Sequence, residues 1–223
     1  MRPISSFGLG KRILWRVLWY PTRVLAALVF RLDIAREAPI PGGPVVFAPN
    51  HLAHPDPPFV GLAVRRPLRF MALDELWGES KILDQLFRVF GAIPLPRTRY
   101  PLTAMRAALE HLESGGAVGV FPEGRRVHRW GDEHPRRGAA WLAMRTGALI
   151  VPVAVWGSQR TMPIGTLRLR PAKVFLRVGR PIDPDAFLDQ EDPLGAIMHT
   201  WESWVTGQLA ELSSGEATHR QPG

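Results

Sequence analysis

The sequence contains no cysteine, and this absence excludes several kinds of site. Disulfide frameworks, cysteine-ligated zinc sites, iron–sulfur clusters and cysteine nucleophiles all require thiol groups that the chain does not have. The rest of the composition is that of a globular protein, since 46% of the 223 residues are hydrophobic and 22% are charged. A chain of this size can bury a substantial core, which excludes a disordered chain, a collagen-like protein and a coiled-coil rod.

Lysine is scarce, because only three of the 28 basic residues are lysines and the other 25 are arginines. The net charge of +8 favours anionic partners, although an arginine excess outside a motif can equally reflect codon usage. Residues 1–32 hold six basic residues and no acidic one, whereas residues 183–223 hold eight acidic residues and one arginine. This uneven distribution disfavours nucleic acid as a partner and favours an anionic membrane surface at the N-terminal end.

An uninterrupted apolar run long enough to cross a bilayer is also missing. Residues 13–32 are mostly apolar, but Arg16, Pro21 and Arg23 interrupt them, and a mid-membrane arginine costs about 2.5–3.5 kcal/mol. A spanning helix is therefore disfavoured, and no signal-peptide cleavage site follows. We predict instead that residues 1–32 form two short amphipathic helices, hinged near Pro21, that lie in the headgroup layer; the alternative is a helical pair packed on the domain.

The remaining chain alternates between strand and helix patterns. Runs of apolar and β-branched residues predict strands over residues 44–48, 92–95, 117–121, 149–155 and 173–179. Apolar residues at helical spacing predict helices that begin at Asp56, near residue 79, at Pro101, near Ala139 and at Pro193. The alternation predicts an α/β fold, in which residues 33–213 form a single domain with a central mixed, largely parallel sheet flanked by helices. Residues 214–223 are predicted to be a disordered tail.

Three groups of polar residues follow predicted strands, and the first contains His51 and Asp56. An imidazole is a base near neutral pH, and a carboxylate five residues later can bond its second nitrogen and fix its tautomer. A structural interpretation is also open, with Asp56 as a helix N-cap and His51 as a hydrogen-bonding group at a strand end. His54 adds the alternative of a metal-dependent phosphoesterase that uses all three side chains, but we predict no metal.

The second group is Arg97, and the third comprises Glu123, Gly124, Arg125 and Arg126. A guanidinium group binds phosphate through two parallel hydrogen bonds, so these arginines predict a phosphate site if their loops adjoin. The glycine would allow a ligand to approach the backbone closely. The structural alternative is a surface arginine paired with Glu123.

In this order, the motifs resemble those of the lysophosphatidate (1-acylglycerol-3-phosphate) acyltransferase family of glycerolipid synthesis. The family's first block, Asn-His-x4-Asp, is matched by Asn50, His51 and Asp56. Its second block, Gly-x-Ile ending in Arg, is matched by residues 91–97. The resemblance extends over about residues 30–210.

The third and fourth blocks of the family are also matched. Phe-Pro-Glu-Gly followed one residue later by Arg corresponds to residues 121–126, and Val-Pro-Val corresponds to residues 151–153. The sequence departs from the family pattern at Arg125, where Thr or Ser is usual, and at Pro96, where a polar residue is common. Both departures concern the acceptor rather than the reaction.

The resemblance implies transfer of a fatty acyl group from acyl-CoA or acyl-ACP to the hydroxyl of a lysophosphatidate, with no cofactor. It implies that His51 is the general base, that Asp56 stabilises its protonated form, and that the acceptor and its phosphate are bound by Arg97, Glu123, Gly124 and Arg126. Arg125 adds a charge where the acceptor headgroup would bind, so we include it among the predicted acceptor-binding residues. It further implies a peripheral enzyme on the cytoplasmic face of the membrane. Another lysolipid or a glycolipid as acceptor stays open, as does a non-catalytic lipid-binding protein.

Overall fold

A seven-stranded sheet organises the described part of the chain, which comprises residues 9–73, 93–95, 102–166 and 168–218 of a computed structural model. The strands are β1 (Asp33–Arg36), β2 (Val45–Pro49), β3 (Arg69–Leu73), β4 (Ile93–Leu95), β5 (Ala117–Gly119), β6 (Leu149–Trp156) and β7 (Phe175–Val178). Their spatial order is β1-β7-β6-β2-β5-β3-β4. All neighbouring strands are parallel except β6 and β7, so the predicted mixed, largely parallel sheet is confirmed.

The helices connect these strands in the predicted alternation. They are α1 (Leu9–Phe30), α2 (Asp56–Val64), α3 (Leu102–Glu113), α4 (Gly138–Thr146), the short α5 (Ser158–Thr161) and α6 (Pro193–Thr218), and a 3₁₀ turn spans Pro184–Phe187. The start of α6 is fixed by Asp192, whose carboxylate accepts a hydrogen bond from the Gly195 N–H at 3.1 Å. The helix predicted near residue 79 lies outside the described residues.

Helices cover both faces of the sheet and divide the core into two hydrophobic clusters. One face packs against α3, α4 and α6 through residues that include Leu112, Leu142 and Trp201. The other face packs against α1 and α2, where the rings of Phe30 and Phe59 meet edge to face with centroids 5.0 Å apart. Strand β2 is buried along its whole length because its residues contact both clusters in alternation. The loop that follows β2 therefore starts from a firmly held position.

Helix α1 is continuous, whereas the sequence predicts two helices hinged near Pro21. A proline inside a helix removes one backbone hydrogen bond and bends the axis, but the turns on either side keep their bonds, so the helix does not have to end. The last turns of α1 belong to the core, since Ala26 and Phe30 are buried. Within the described ranges, no helix combines the length and the apolarity that a membrane span needs.

Two strands and one helix end differ from the sequence prediction. Strands β1 and β3 are not predicted, because their short sequences, DIAR and RFMAL, lack a clear alternation of apolar and polar residues. Helix α6 continues to Thr218, into the predicted tail. Ser213 and Ser214 do not end it, because their hydroxyl groups donate to helix carbonyls three residues earlier.

Candidate active site

The candidate site forms at the carboxyl edge of the sheet, where β2 and β5 end side by side. These two strands are parallel neighbours, so the loops that follow them emerge at the same edge. The loop after β2 carries His51, and the loop after β5 carries residues 120–127. The second loop is called the β5 loop below. Direct contacts join these two loops. The phosphate site predicted from the sequence also needs the loop of Arg97 to adjoin the β5 loop, and Arg97 lies outside the described residues.

The main chain of His51 joins the two loops. Its N–H donates to Glu123 Oε2 at 2.6 Å, and its carbonyl accepts from the Val127 N–H at 2.9 Å. The preceding side chain, that of Asn50, is buried and exchanges two hydrogen bonds with the backbone of Val155 on β6, at 2.7 and 3.0 Å. The backbone of His51 is therefore fixed from both sides, and its position does not depend on the imidazole.

His51 and Asp56 form the contact that their spacing predicts. Nδ1 of His51 lies 2.9 Å from Oδ2 of Asp56, which also accepts from the N–H groups of Leu52 and Ala53 at 2.7 and 2.8 Å. A carboxylate only accepts, so in the neutral imidazole Nδ1 carries the proton and Nε2 keeps its lone pair. Asp56 begins α2 but does not cap it, because Pro55 holds the N-cap position without a side-chain hydrogen bond.

The ring of His51 is also held by stacking. It lies on the ring of Phe121, with centroids 3.9 Å apart and planes inclined by 21°, and Phe121 stacks in turn on Phe70. The side chain of His51 is 16% exposed, while that of Asp56 is fully buried. A substrate can thus reach the imidazole, and water cannot reach the carboxylate behind it.

Glu123 is a buried acid at the centre of the β5 loop, with 1% of its surface exposed. Burial raises its pKa to about 8, the hydrogen bond from His51 opposes this, and the charges of Asp56 and Glu133 add to it. Its Oε1 atom is buried and has no hydrogen-bond partner in the described part of the chain. At neutral pH, Glu123 is therefore mostly protonated and presents a hydrogen-bonding group that no described residue satisfies.

Arg126 brings a positive charge to the same group of residues. Burial lowers its pKa and the nearby carboxylate of Asp56 raises it, so its guanidinium group lies close to the histidine–aspartate pair. Its Nη1 atom is buried and, within the described ranges, has no hydrogen-bond partner. A buried guanidinium N–H without a partner is a donor available to an anionic oxygen.

His54 faces this charge as well. Burial lowers the pKa of His54 to about 4, with further lowering by the charges of Arg126 and His51. His54 is therefore neutral at physiological pH. In the described part of the chain, no three His, Asp or Glu side chains form a group that could hold a metal ion.

The other predicted acceptor residues occupy different places. Arg125 is exposed and forms an ion pair with Glu133, so its charge is already balanced at the surface. Arg97 lies outside the described residues. Gly124 has φ +74°, a left-handed conformation that favours glycine, and it lies beside Glu123 in the β5 loop.

Sequence reasoning did not single out Arg136. A Cβ atom at Gly124 would lie 2.8 Å from Nε of Arg136, so this side chain rests directly on the glycine. The backbone N–H of Arg136 donates to the carbonyl of Pro122 at 2.8 Å, which ties the start of α4 to the β5 loop. The available signal was the Arg136-Arg137 pair immediately before the helix.

A cavity of about 330 Å³ adjoins the site on the side of Leu52, the residue after His51. It lies between α6 and residues 128–130, which follow the β5 loop, and its apolar walls include Trp130, Trp156 and Leu209. Leu52 itself is buried, with 2% of its surface exposed. The cavity therefore offers an apolar surface at Leu52, the residue that follows His51 in the chain.

Comparison with known proteins identifies relatives of this arrangement. The family model described as Acyltransferase matches residues 31–156. A chloroplastic 1-acyl-sn-glycerol-3-phosphate acyltransferase of Arabidopsis thaliana is 24% identical over 151 residues, which are 67% of this chain and 42% of the relative. A 1-acyl-sn-glycerol-3-phosphate acyltransferase of Chlamydomonas reinhardtii is 29% identical over 194 residues, 82% of this chain and 56% of the relative. The chain thus spans about half the length of these curated relatives.

A solved structure has the same architecture. The crystal structure of the 1-acyl-sn-glycerophosphate acyltransferase PlsC from Thermotoga maritima aligns with a TM-score of 0.70 and 26% sequence identity. The alignment covers 89% of this chain and 81% of the other. The similarity therefore extends over the sheet and the helices that position the histidine and the β5 loop.

Proposed function

Since the chain belongs to the acyltransferase family, we propose that it transfers a fatty acyl group from acyl-CoA or acyl-ACP to the free hydroxyl of a lysophosphatidate. The observation that carries this proposal is the buried carboxylate of Asp56 bonded to Nδ1 of His51, which leaves Nε2 as a base, with the charge of Arg126 near the same carboxylate. The activity for which these relatives are named, acyl transfer to 1-acyl-sn-glycerol-3-phosphate, favours this acceptor.

In the proposed reaction, the acceptor hydroxyl attacks the carbonyl carbon of the thioester while Nε2 of His51 removes its proton. A carbon–oxygen bond forms and the carbon–sulfur bond breaks, after which the imidazolium returns the proton to the leaving thiolate. Asp56 stabilises the imidazolium between these steps. The chain has neither a cysteine nor a Gly-x-Ser-x-Gly motif, so the acyl group passes directly between the substrates.

Arg126 is proposed to bind the phosphate of the acceptor, because its Nη1 donor is buried and has no hydrogen-bond partner within the described ranges. Arg97 is the second proposed phosphate ligand, from the resemblance. Glu123 offers Oε1 to a glycerol hydroxyl, and its other oxygen positions His51. Arg125 forms an ion pair with Glu133, so we expect it to contribute less to acceptor binding than the other residues. The cavity beside Leu52 is proposed to hold an acyl chain.

Peripheral association with the cytoplasmic leaflet is part of the proposal, because the acceptor resides in a membrane. Helix α1 supports it with a largely apolar exposed surface, whose large residues are Val17, Tyr20, Val24, Leu25 and Leu28. Helix α1 belongs to the N-terminal part of the sequence, residues 1–32, which holds six basic residues and no acidic one. The helix would then lie along the bilayer surface.

The direct test is release of free thiol from palmitoyl-CoA, or from palmitoyl-ACP, by the purified full-length chain in the presence of lysophosphatidate. We expect release to require the acceptor, and mass spectrometry to find phosphatidate. His51→Ala should lower kcat by about 10² to 10⁴, whereas His199→Ala, at an exposed position on α6, should leave it unchanged. Release only with another lysolipid or a glycolipid would correct the acceptor, and wild-type turnover by His51→Ala would refute the mechanism.

A further inference from the structure

A second cavity lies at the opposite edge of the sheet from His51. Its volume is about 490 Å³, and it is bounded by the end of β1, the loop before β2 and the end of α2. Arg36, Arg65 and Arg66 line it, and we call it the arginine pocket. The nine residues of α2 lead from Asp56 to this pocket, a distance of about 13 Å along the helix. It is therefore separate from the candidate active site.

Two of the three arginines are fixed in place by the backbone. Arg36 donates from Nε and Nη2 to the carbonyl of Ala63, and Arg66 donates to the carbonyls of Pro41 and Gly43 at 2.7 and 2.8 Å. Carbonyl groups position a guanidinium group but carry no net charge. The pocket is thus built of held cations whose charge these contacts do not neutralise.

The surroundings of the pocket are also positive. Among the described residues that line it, none is acidic. After burial, the strongest influences on the pKa of Arg36 are the charges of Arg65 and Arg23, and both lower it. Arg23, from α1, donates to the carbonyl of Leu62 at 3.4 Å and so lies at the same end of α2. Three arginines that line one cavity, with a fourth at the same end of α2, favour occupation by an anion.

Arg23 also connects the pocket to the exposed surface of α1. Two residues next to it on that helix, Tyr20 and Val24, are 69% and 58% exposed. Exposure of such apolar side chains to water is unfavourable, whereas a helix at the membrane interface buries them among lipids. The cations beside them are then at the depth of the lipid phosphates. This adjacency selects a membrane lipid over other anions.

We propose that the arginine pocket binds the phosphate group of an anionic phospholipid in the bilayer that α1 contacts. The bound lipid is not the acyl acceptor, whose phosphate is assigned to the other edge of the sheet near Arg126. The guanidinium N–H groups of Arg36 and Arg66 that do not donate to these carbonyls would donate to the phosphate oxygens, and the charge of Arg65 would add to the attraction. The inference does not depend on acyl transfer, since it concerns only how the protein holds the membrane.

A side chain at Gly42 would alter the wall of the pocket without changing its charge. A Cβ atom at this position meets no atom within 4 Å, and the residue lines the cavity. Gly42→Leu should weaken binding to phosphatidylcholine vesicles that contain phosphatidylglycerol by about fivefold or more. Binding to pure phosphatidylcholine should not change. Gly207→Leu, at an equally open and exposed position on α6, is the matched control and should bind both vesicles as wild type does.

A charge variant tests the same site. Arg65→Gln should weaken binding to the anionic vesicles by a similar factor, whereas Arg106→Gln, an exposed arginine of α3, should have no effect. If both Gly42→Leu and Arg65→Gln bind anionic vesicles like wild type, attraction is diffuse and the pocket is refuted. If inorganic phosphate raises the Tm of wild type but not of Gly42→Leu, while vesicle binding is equal, the pocket binds a free anion and the lipid assignment is refuted.

Acyl transfer is measured separately, on lysophosphatidate dispersed in detergent, and Gly42→Leu should keep the wild-type rate. Absence of transfer by the wild-type protein would refute the proposed function but would leave the vesicle results to decide the pocket. The two proposals are therefore tested by independent measurements.

Discussion

The backbone N–H of His51 donates to the side chain of Glu123 at 2.6 Å, although 72 residues separate the two in the chain. Through this bond, a buried carboxyl from the β5 loop fixes the position of the proposed base. The same carboxyl keeps a second oxygen, Oε1, without a partner in the described ranges. Glu123 is therefore both a positioning residue for His51 and a candidate contact for the acceptor.

The raised pKa of Glu123 predicts a specific dependence of stability on pH. In the unfolded chain this carboxyl loses its proton near pH 4.5, but in the folded protein it does so near pH 8. Between these values the folded state binds more protons, so the free energy of unfolding falls as pH rises. Glu123→Gln keeps a buried acceptor and removes the titration.

Denaturant unfolding of wild type and Glu123→Gln across this range measures the effect. Wild type should lose stability relative to the variant from about pH 4.5 to pH 8, and the difference should be constant outside that window. Glu110→Gln, at an exposed position on α3, should show no such trend. A difference between Glu123→Gln and wild type that does not vary with pH would contradict the assignment.

Asp56→Asn should lower kcat much more than it lowers binding of either substrate. The amide no longer stabilises the imidazolium and favours the wrong tautomer of His51, an effect worth about 10⁴ in the analogous serine protease dyad. Steady-state kinetics of the variant measure it, and circular dichroism shows that the fold is kept. Asp189→Asn, an exposed aspartate, is the control. A kcat within a few-fold of wild type would mean that Asp56 has only a structural role.

Arg125 and Arg126 are adjacent in sequence, yet their substitution should have different effects. Arg126→Gln removes a partly buried donor, and loss of a hydrogen bond to a charged group should raise KM for lysophosphatidate by about 10- to 100-fold. Arg125→Gln removes an exposed ion pair with Glu133 and should change KM by less than about threefold. Equal increases in KM in the two variants would show that Arg125 breaks its ion pair with Glu133 and binds the acceptor.

The exposed leucines of α1 should control membrane binding without contributing to folding. Leu25 and Leu28 are 64% and 75% exposed, so Leu25→Ser with Leu28→Ser should release the protein from vesicles and keep its Tm. Deletion of residues 1–32 is a poorer test, because it also removes Phe30 from the core. Leu188→Ser, a similarly exposed leucine elsewhere, is the control; vesicle binding by the double variant at wild-type level would refute the membrane role of α1.

The sheet could be predicted in part because β2, β5 and β6 are buried, and buried strands are visible in the sequence as runs of apolar and β-branched residues. β1 and β3 could not be predicted in this way, since they are short and partly polar and become strands by pairing with neighbours. The spacing of His51 and Asp56 likewise predicted their contact, because a loop of five residues allows few arrangements. The placement of Arg125 at the surface and Arg126 inside depends on how the β5 loop folds over His51.

The sequence by itself determined the chemistry available to this protein: a histidine and a carboxylate at fixed spacing, a glutamate with arginines after a buried strand, and a basic, apolar N-terminal end. These are properties of residue types and local spacing. Only the tertiary structure decided that Glu123 bonds the backbone of His51, that Arg136 rests on Gly124, and that Arg36 of β1 and the two arginines after α2 line a second cavity. Such contacts join residues far apart in the chain, and only the packing of helices on the sheet brings them within hydrogen-bonding distance.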